Sequence, residues 1–254
     1  IEPYLPLAGE RAHPPASPAA RGLPNFTDAA LQTLVTRLDR EGFQTHMHAI
    51  GDGGVRQGLD AIEAADRANG RRDRRAHIAH IQLVDPADQP RFASLGVVAN
   101  MQPLWAYADS FITDLTEPRL GPVRSTYLYP FASLVRAGAR LAGGSDWSVT
   151  SVNPLHGIQV AVTRKAIDAA EAVPAWLPEE RIDLTTALRA YTSGGAYVSF
   201  EEADSGALEV GKFADLVVLD RDPYAVPPSE LHSLRVLWTV KEGREVYRAD
   251  GFTP

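Results

Sequence analysis

The chain of 254 residues predicts an α/β fold, half of a parallel barrel followed by a small β appendage, and three observations predict it. A helix-then-strand phrase recurs four times between residues 28 and 144, and each strand is short, apolar and followed by polar residues. Strands alternating with helices favour one parallel sheet buried on both faces, joined by right-handed crossovers. A closed eight-unit barrel takes about 250 residues, yet four strand units already end near Gly144, so half a barrel is the natural count. Beyond that point the pattern turns to short strands, two of them flanking the hairpin signal Glu242-Gly243.

The elements follow in order. Residues 1–25 carry Pro3, Pro6, Pro14, Pro15, Pro18 and Pro24, which exclude a long helix or a central strand and predict an extended surface segment. Thr27 is suited to cap a helix over 28–41, where Leu31, Leu34, Val35 and Leu38 recur at helical spacing and Gly42 ends it. A strand over 43–49 follows. Helices over 54–69, 86–95 and 131–137 lead to strands over 76–81, 97–101 and 139–144. A last helix, 184–198, precedes short strands at 206–208, 216–220, 236–241 and 244–247. Residues 1–200 therefore read as the partial barrel and 201–254 as the β appendage.

Net charge is −7 and the basic residues are scattered among acids, which argues against nucleic acid as a partner. The one dense basic stretch, 71–75, reads as a solvated loop leading into a strand rather than as an anion-binding patch. The chain has no cysteine, so disulfides and thiolate ligands are excluded and any metal must be held by nitrogen and oxygen donors, in keeping with a cytoplasmic location. No apolar run approaches the roughly 20 residues that cross a bilayer, and the opening Ile1-Glu-Pro-Tyr lacks a signal pattern.

Side chains from distant strands converge at the C-terminal edge of a parallel barrel. His48 ends the first predicted strand, His80 the second, and Asp146 follows the fourth. Three such donors suit zinc or a similar divalent ion, one or two in number, which lowers the pKa of bound water to about 7 while a carboxylate moves its proton. Singly, each residue reads better as a hydrogen-bonded core or rim group; together they point to hydrolysis. His46 shares a face with His48 but lies some 6–7 Å deeper, by about one two-residue repeat, and reads as a supporting or core histidine. His77, three residues before His80, is expected on the opposite face from it. His13 and His232 lie away from the strand ends, and only His156 can approach the site. Trp105 and Tyr107, after the third strand, either line a substrate pocket or pack as an ordinary loop. The run Gly51-Asp-Gly-Gly54 fails the dinucleotide fingerprint at Arg56, so no nicotinamide cofactor is expected; Asp52 is a candidate cap for the next helix.

These residues stand in a wider set of motifs: Glu2-Pro-Tyr-Leu-Pro, Gly22-Leu-Pro-Asn-Phe26, His46-Met-His-Ala-Ile-Gly-Asp52, His77-Ile-Ala-His-Ile-Gln82, Gly144-Ser-Asp-Trp147, Asn153-Pro-Leu155 with Ala161-Val-Thr-Arg164, Ala190-Tyr-Thr192, and residues 206–220. As a set they resemble the amidohydrolase superfamily, in the branch called amidohydrolase family 3, over essentially the whole chain. The resemblance implies the C-terminal half of a (β/α)8 TIM barrel, strands five to eight, followed by a β-sandwich portion. It implies hydrolysis of carbon–nitrogen bonds other than ordinary peptide bonds. It makes His48 and His80 the metal histidines of strands five and six, and Asp146 the acid of strand eight that binds metal and takes a proton from water. Residues 206–220 would be the strand phrase that returns to the sandwich.

Three departures accompany it. The family's first-strand His-x-His pair is absent, the lysine that often precedes Glu2-Pro-Tyr is absent, and Ala79 stands where a glutamate is usual. Four strands and half a sandwich are then unaccounted for, which implies a polypeptide about twice as long. Two functions follow: a metal-dependent hydrolase of small amides, formamides or cyclic amides, or a non-catalytic half-barrel module. Open strand edges predict self-association or pairing with the missing N-terminal half.

Overall fold

The computed structural model describes residues 1–12, 14 and 18–254. His13 and Pro15, both weighed above, lie outside the described residues. The described part of the proline-rich opening is irregular, apart from one helical turn, α1 (Pro18–Arg21), with proline at its first position. The chain clusters into two compact units: Ile1–Met101 with Ala106–Arg140, and Gln102–Trp105 with Leu141–Pro254.

The first unit holds α2 (Asp28–Arg40), β1 (His46–Ala49), α3 (Asp52–Asn69), β2 (His77–His80), α4 (Gln89–Leu95), β3 (Val98–Met101), a π-helical turn (Phe111–Thr116), α5 (Glu117–Ser125) and α6 (Phe131–Arg136). Thr27 caps α2, its hydroxyl accepting from the Ala30 N–H at 3.3 Å. β1 pairs with β2 and β2 with β3, all parallel, with His46 opposite His77 and His77 opposite Val98. Each strand is shorter than expected. At β1 the reason is visible: the Phe43 N–H turns back to the Leu38 carbonyl and closes α2 instead of joining the ladder. α3 starts two residues early because Gly51 is its cap; Asp52, expected as the cap, is its first residue. α4 starts three residues late because Asp85 folds 85–88 into a turn, its carboxylate accepting from the Ala87 N–H.

α3 turns Val55, Gly58, Leu59, Ile62 and Ala65 inward at helical spacing. Gly58 permits a close approach to the sheet, since a Cβ there would meet Ile78 Cδ1 at 3.1 Å and Met47 Sδ at 3.6 Å. The basic stretch 71–75 is the solvated loop expected only at its start, where residues 71–73 are exposed. Arg74 and Arg75 are 6% and 8% exposed. Arg74 bonds Asp39 at 2.7 Å and pairs with Asp66, and Arg72 reaches Asp39 at 2.7 Å. Burial alone would raise the pKa of the Asp39 carboxyl, but hydrogen bonds from Arg74, Asn69 and Arg72 outweigh it and hold the group well below the usual carboxylate range. The charges that looked like surface in one dimension tie α2 to the segment entering β2.

β4 (Arg140–Gly143) opens on the last residue of the first unit and carries the chain into the second. There follow α7 (Pro154–Thr163), α8 (Leu184–Tyr191), α9 (Ser193–Val198), β5 (Leu216–Leu219), β6 (Val236–Lys241) and β7 (Arg244–Arg248). The single helix expected over 184–198 is two, broken at Thr192 (φ −119°, ψ −91°). The segment expected as a strand at 206–208 is irregular, because Gly206 (φ +83°) passes so close to α9 that a Cβ would lie 2.6 Å from Ala196 Cβ. β5, β6 and β7 form one antiparallel sheet in that order. The Glu242-Gly243 hairpin is present, both residues having positive φ, 51° and 74°. Among the described residues this region shows one three-stranded layer.

Compactness divides the chain at 141 rather than at the expected 201. Gln159 of α7, 1% exposed, accepts from the His232 N–H at 2.9 Å, binding α7 to the C-terminal segment. No helix among the described residues is long and apolar enough to cross a membrane.

Removing Asp39 leaves Arg74 buried with half its partners. Asp39→Ala is expected to lower unfolding free energy by about 3–5 kcal/mol, measured by urea denaturation.

Candidate metal centre

β1 and β2 deliver four histidines to one face of the sheet. His46 and His48 are two residues apart in a strand and so share a face. The parallel register sets His77 beside His46, ring centres 4.3 Å apart. By strand alternation His80 would fall on the opposite side, with Ala49. It does not: His80 and Ile81 have φ of +72° and +46°, and this left-handed turn brings the His80 ring to 4.4 Å from that of His48 at an interplanar angle of 69°. The expectation that His77 and His80 face opposite ways is therefore corrected. The backbone departs from strand geometry at His80 itself, and the Ile81 N–H still closes the ladder on the Ala49 carbonyl at 3.0 Å.

Burial differs across the face. β2 is buried throughout, whereas His46 and His48 on β1 are exposed. Burial, then the neighbouring His46, pushes the His77 imidazole down to about 4, with a hydrogen bond to the Arg75 backbone opposing this. The His46 imidazole is also lowered, by burial and then by His48.

The His48–His80 pair suits a divalent ion by donor chemistry, two imidazoles side by side at the end of neighbouring strands. Two imidazoles sharing one tetrahedral ion at about 2.0–2.1 Å would set their ring centres roughly 5 Å apart, somewhat wider than the 4.4 Å between these rings. Among the described residues no group of three His, Cys, Asp or Glu side chains is assembled to hold an ion. Asp146 belongs to the second unit, where it is exposed, with φ +52°, in the turn that follows β4. That turn is shaped by Tyr191, whose hydroxyl donates to the Gly144 carbonyl at 3.3 Å and whose ring fills the space a Cβ on Gly143 would need, at 2.6 Å. Burial raises the pKa of this hydroxyl, keeping it protonated and a donor. A Cβ on Gly157 of α7 would collide with the same hydroxyl.

His156 is half-buried on α7, its ring 6.5 Å from that of His232. His232 is held by Gln159, whose Oε1 lies 2.8 Å from its Nδ1. Trp105 ends a short 3-10 turn (Pro103–Trp105) in the second unit, and Tyr107 is half-buried in the first. A surface cleft of about 570 Å³ in the first unit is lined by Glu2, Leu5, Leu120, Arg124 and Tyr127 among others, and by none of the site residues expected from the sequence. Behind His48, Asp52 anchors the start of α3 through an ion pair with Arg124 at 3.0 Å. Tyr191 and His77 were given no site role from sequence. Tyr191 stands in a motif quoted above, and His77 carried only a spacing that misassigned its face.

The amidohydrolase family's sequence pattern matches residues 2–247. The chain belongs to the amidohydrolase family. Among its relatives are Protein LONG AFTER FAR-RED 3 of Arabidopsis thaliana, 39% identical over 89% of this chain and 36% of that protein, and Putative amidohydrolase YtcJ of Bacillus subtilis (strain 168), 33% identical over 91% and 42%. Among solved structures, an uncharacterized metal-dependent hydrolase from Pyrococcus horikoshii OT3 aligns with a TM-score of 0.69 at 26% identity, covering 89% of this chain and 42% of that one. This amidohydrolase chain thus spans about two fifths of the length of those relatives.

Two outcomes are expected. Gly157→Ala destabilises the second unit by about 1–3 kcal/mol through overpacking, seen as a lower Tm, and adding Tyr191→Phe restores part of the loss by removing the colliding oxygen. As pH falls from about 6.5 toward 4, the unfolded chain takes up a proton that folded His77 refuses, so stability decreases over that window. Urea unfolding at both ends should show a smaller decrease for His77→Asn.

Proposed function

We propose that the chain is part of a metal-dependent hydrolase of carbon–nitrogen bonds in small amides, formamides or cyclic amides. The observation that carries the reading is the His48–His80 imidazole pair, brought side by side by a left-handed residue at a strand end. Kinship with the family and the likeness to a metal-dependent hydrolase support it.

In this reading His48 and His80 hold a divalent ion, zinc being the natural choice for imidazole donors. The bound ion supplies Lewis acidity and a water that ionises near neutral pH. Asp146 is the acid that takes the water's proton and passes it to the departing nitrogen. Trp105, Tyr107 and His156 are candidates for contacting the substrate.

A second reading is favoured by one observation: no three-donor cluster is assembled among the described residues. In it the chain is a module that acts only with the remaining strands of a longer polypeptide or a complementary partner.

Metal analysis of zinc-loaded protein, with assay of a panel of N-acyl and N-formyl compounds, tests the first reading. His48→Ala and His80→Ala are each expected to lose the bound ion. Asp146→Asn is expected to lose about 100-fold or more in turnover, the scale of a missing proton acceptor. Undiminished turnover by Asp146→Asn, or full zinc content in both histidine variants, defeats it.

A further inference from the structure

We propose that Asn100 of β3 is a substrate-binding residue of the reaction proposed above, a reading on which this inference rests: its carboxamide N–H donates to the carbonyl oxygen of the amide being cleaved. Register across three strands brings the residue to the site. His48 pairs with Ala79, and Ala79 with Asn100, and directly paired residues of parallel neighbours project to the same side of the sheet. Two sets of contacts fix which side that is. In the row below, His46 and His77 meet ring to ring. In the alternate row, Met47 and Ile78 face α3 at Gly58. Asn100 therefore stands on the histidine face, in the first unit, toward the carboxyl ends of the strands, where ligands of parallel barrels bind.

The residue type is informative in itself. Strands of a parallel sheet buried on both sides run nearly all apolar, and asparagine is depleted in strands. β3 follows this at Val98, Ala99 and Met101, all buried, and departs from it at Asn100, which is half-buried. Departures of this kind concentrate where function overrides local preference. Between His48 and Asn100 the row offers only the methyl of Ala79, so the floor between the two polar side chains is low. Two strand spacings of roughly 4.8 Å set their Cα atoms about 10 Å apart. An imidazole, a small carbonyl group and a carboxamide fill that width. A carboxamide has two donors and an acceptor, so a bond within the protein leaves it capacity for a ligand. Negative charge grows on the carbonyl oxygen as water adds to the amide, so a donor aimed there acts on the rate more than on ground-state affinity.

Two measurements on the full zinc-loaded chain test this. The first is kinetic. Asn100→Ala is expected to lower kcat for an N-formyl substrate roughly 100-fold, with KM, zinc content and Tm little changed, and Asn100→Ser, which keeps a donor, should lose less. For the matching N-thioformyl compound, whose sulfur accepts hydrogen bonds weakly, the loss in Asn100→Ala should be much smaller; a merely structural role would slow both substrates alike. The second measurement needs no turnover: acetohydroxamate added to isotope-labelled protein should shift the side-chain amide NMR signals of Asn100, identified by their absence in Asn100→Ala. Undiminished kcat in folded Asn100→Ala, equal losses on the formyl and thioformyl compounds, or acetohydroxamate that leaves those signals in place overturns the proposal, and zinc retained with turnover then leaves the functional reading standing. If the chain holds no zinc, the functional reading falls and this inference falls with it.

Discussion

Everything at the candidate centre depends on the register of β1 against β2. Pairing His46 with His77 places one imidazole beside another, and the parallel direction of the strands carries His48 and His80 to the same end. A one-residue slip would send the β1 histidines to the opposite face. Register alone would still leave His80 on the wrong side. The left-handed conformation at His80 and Ile81 corrects this, and non-glycine residues held there carry a strain of roughly 1–3 kcal/mol each. Such strain persists only where the surroundings over-determine it. Both residues are buried, and the Ile81 N–H is held by Ala49.

The strands are in turn positioned from behind. α3 lies close on β1 and β2 because Gly58 leaves room for Ile78 and Met47. Entry into β2 is held by the buried pair of Asp39 and Arg74, joined by exposed Arg72 and by Asp66. Buried ion pairs of this kind confer little net stability against an apolar replacement but severely penalise a lost partner. They therefore specify one path for the chain between α2 and β2. In the second unit a half-buried tyrosine has the corresponding place: Tyr191 fits where Gly143 and Gly157 have no side chains and donates to the turn that presents Asp146.

Much of this was legible in one dimension. The four helix-then-strand phrases, the Thr27 cap, the Glu242-Gly243 hairpin and the strand-end positions of His48 and His80 all followed from local rules, because caps, turns and periodicity act over a few residues. The 184–198 segment was misread as one helix because its break at Thr192 is imposed by neighbours: a Cβ on Gly194 would collide with the Leu141 carbonyl, which no local propensity reports. Likewise Arg74 looks like surface when counted along the chain and becomes interior when Asp39 and Asp66 meet it.

The sequence by itself determined the residue types available for chemistry, nitrogen and oxygen donors without sulfur, and the local elements that carry them. It determined the kinship as well, since motifs spread over residues 2–247 survive without reference to geometry. Tertiary structure alone decided which histidines face one another. That choice rests on a backbone dihedral at His80 and on cross-strand register, both products of long-range packing that alternation rules do not contain.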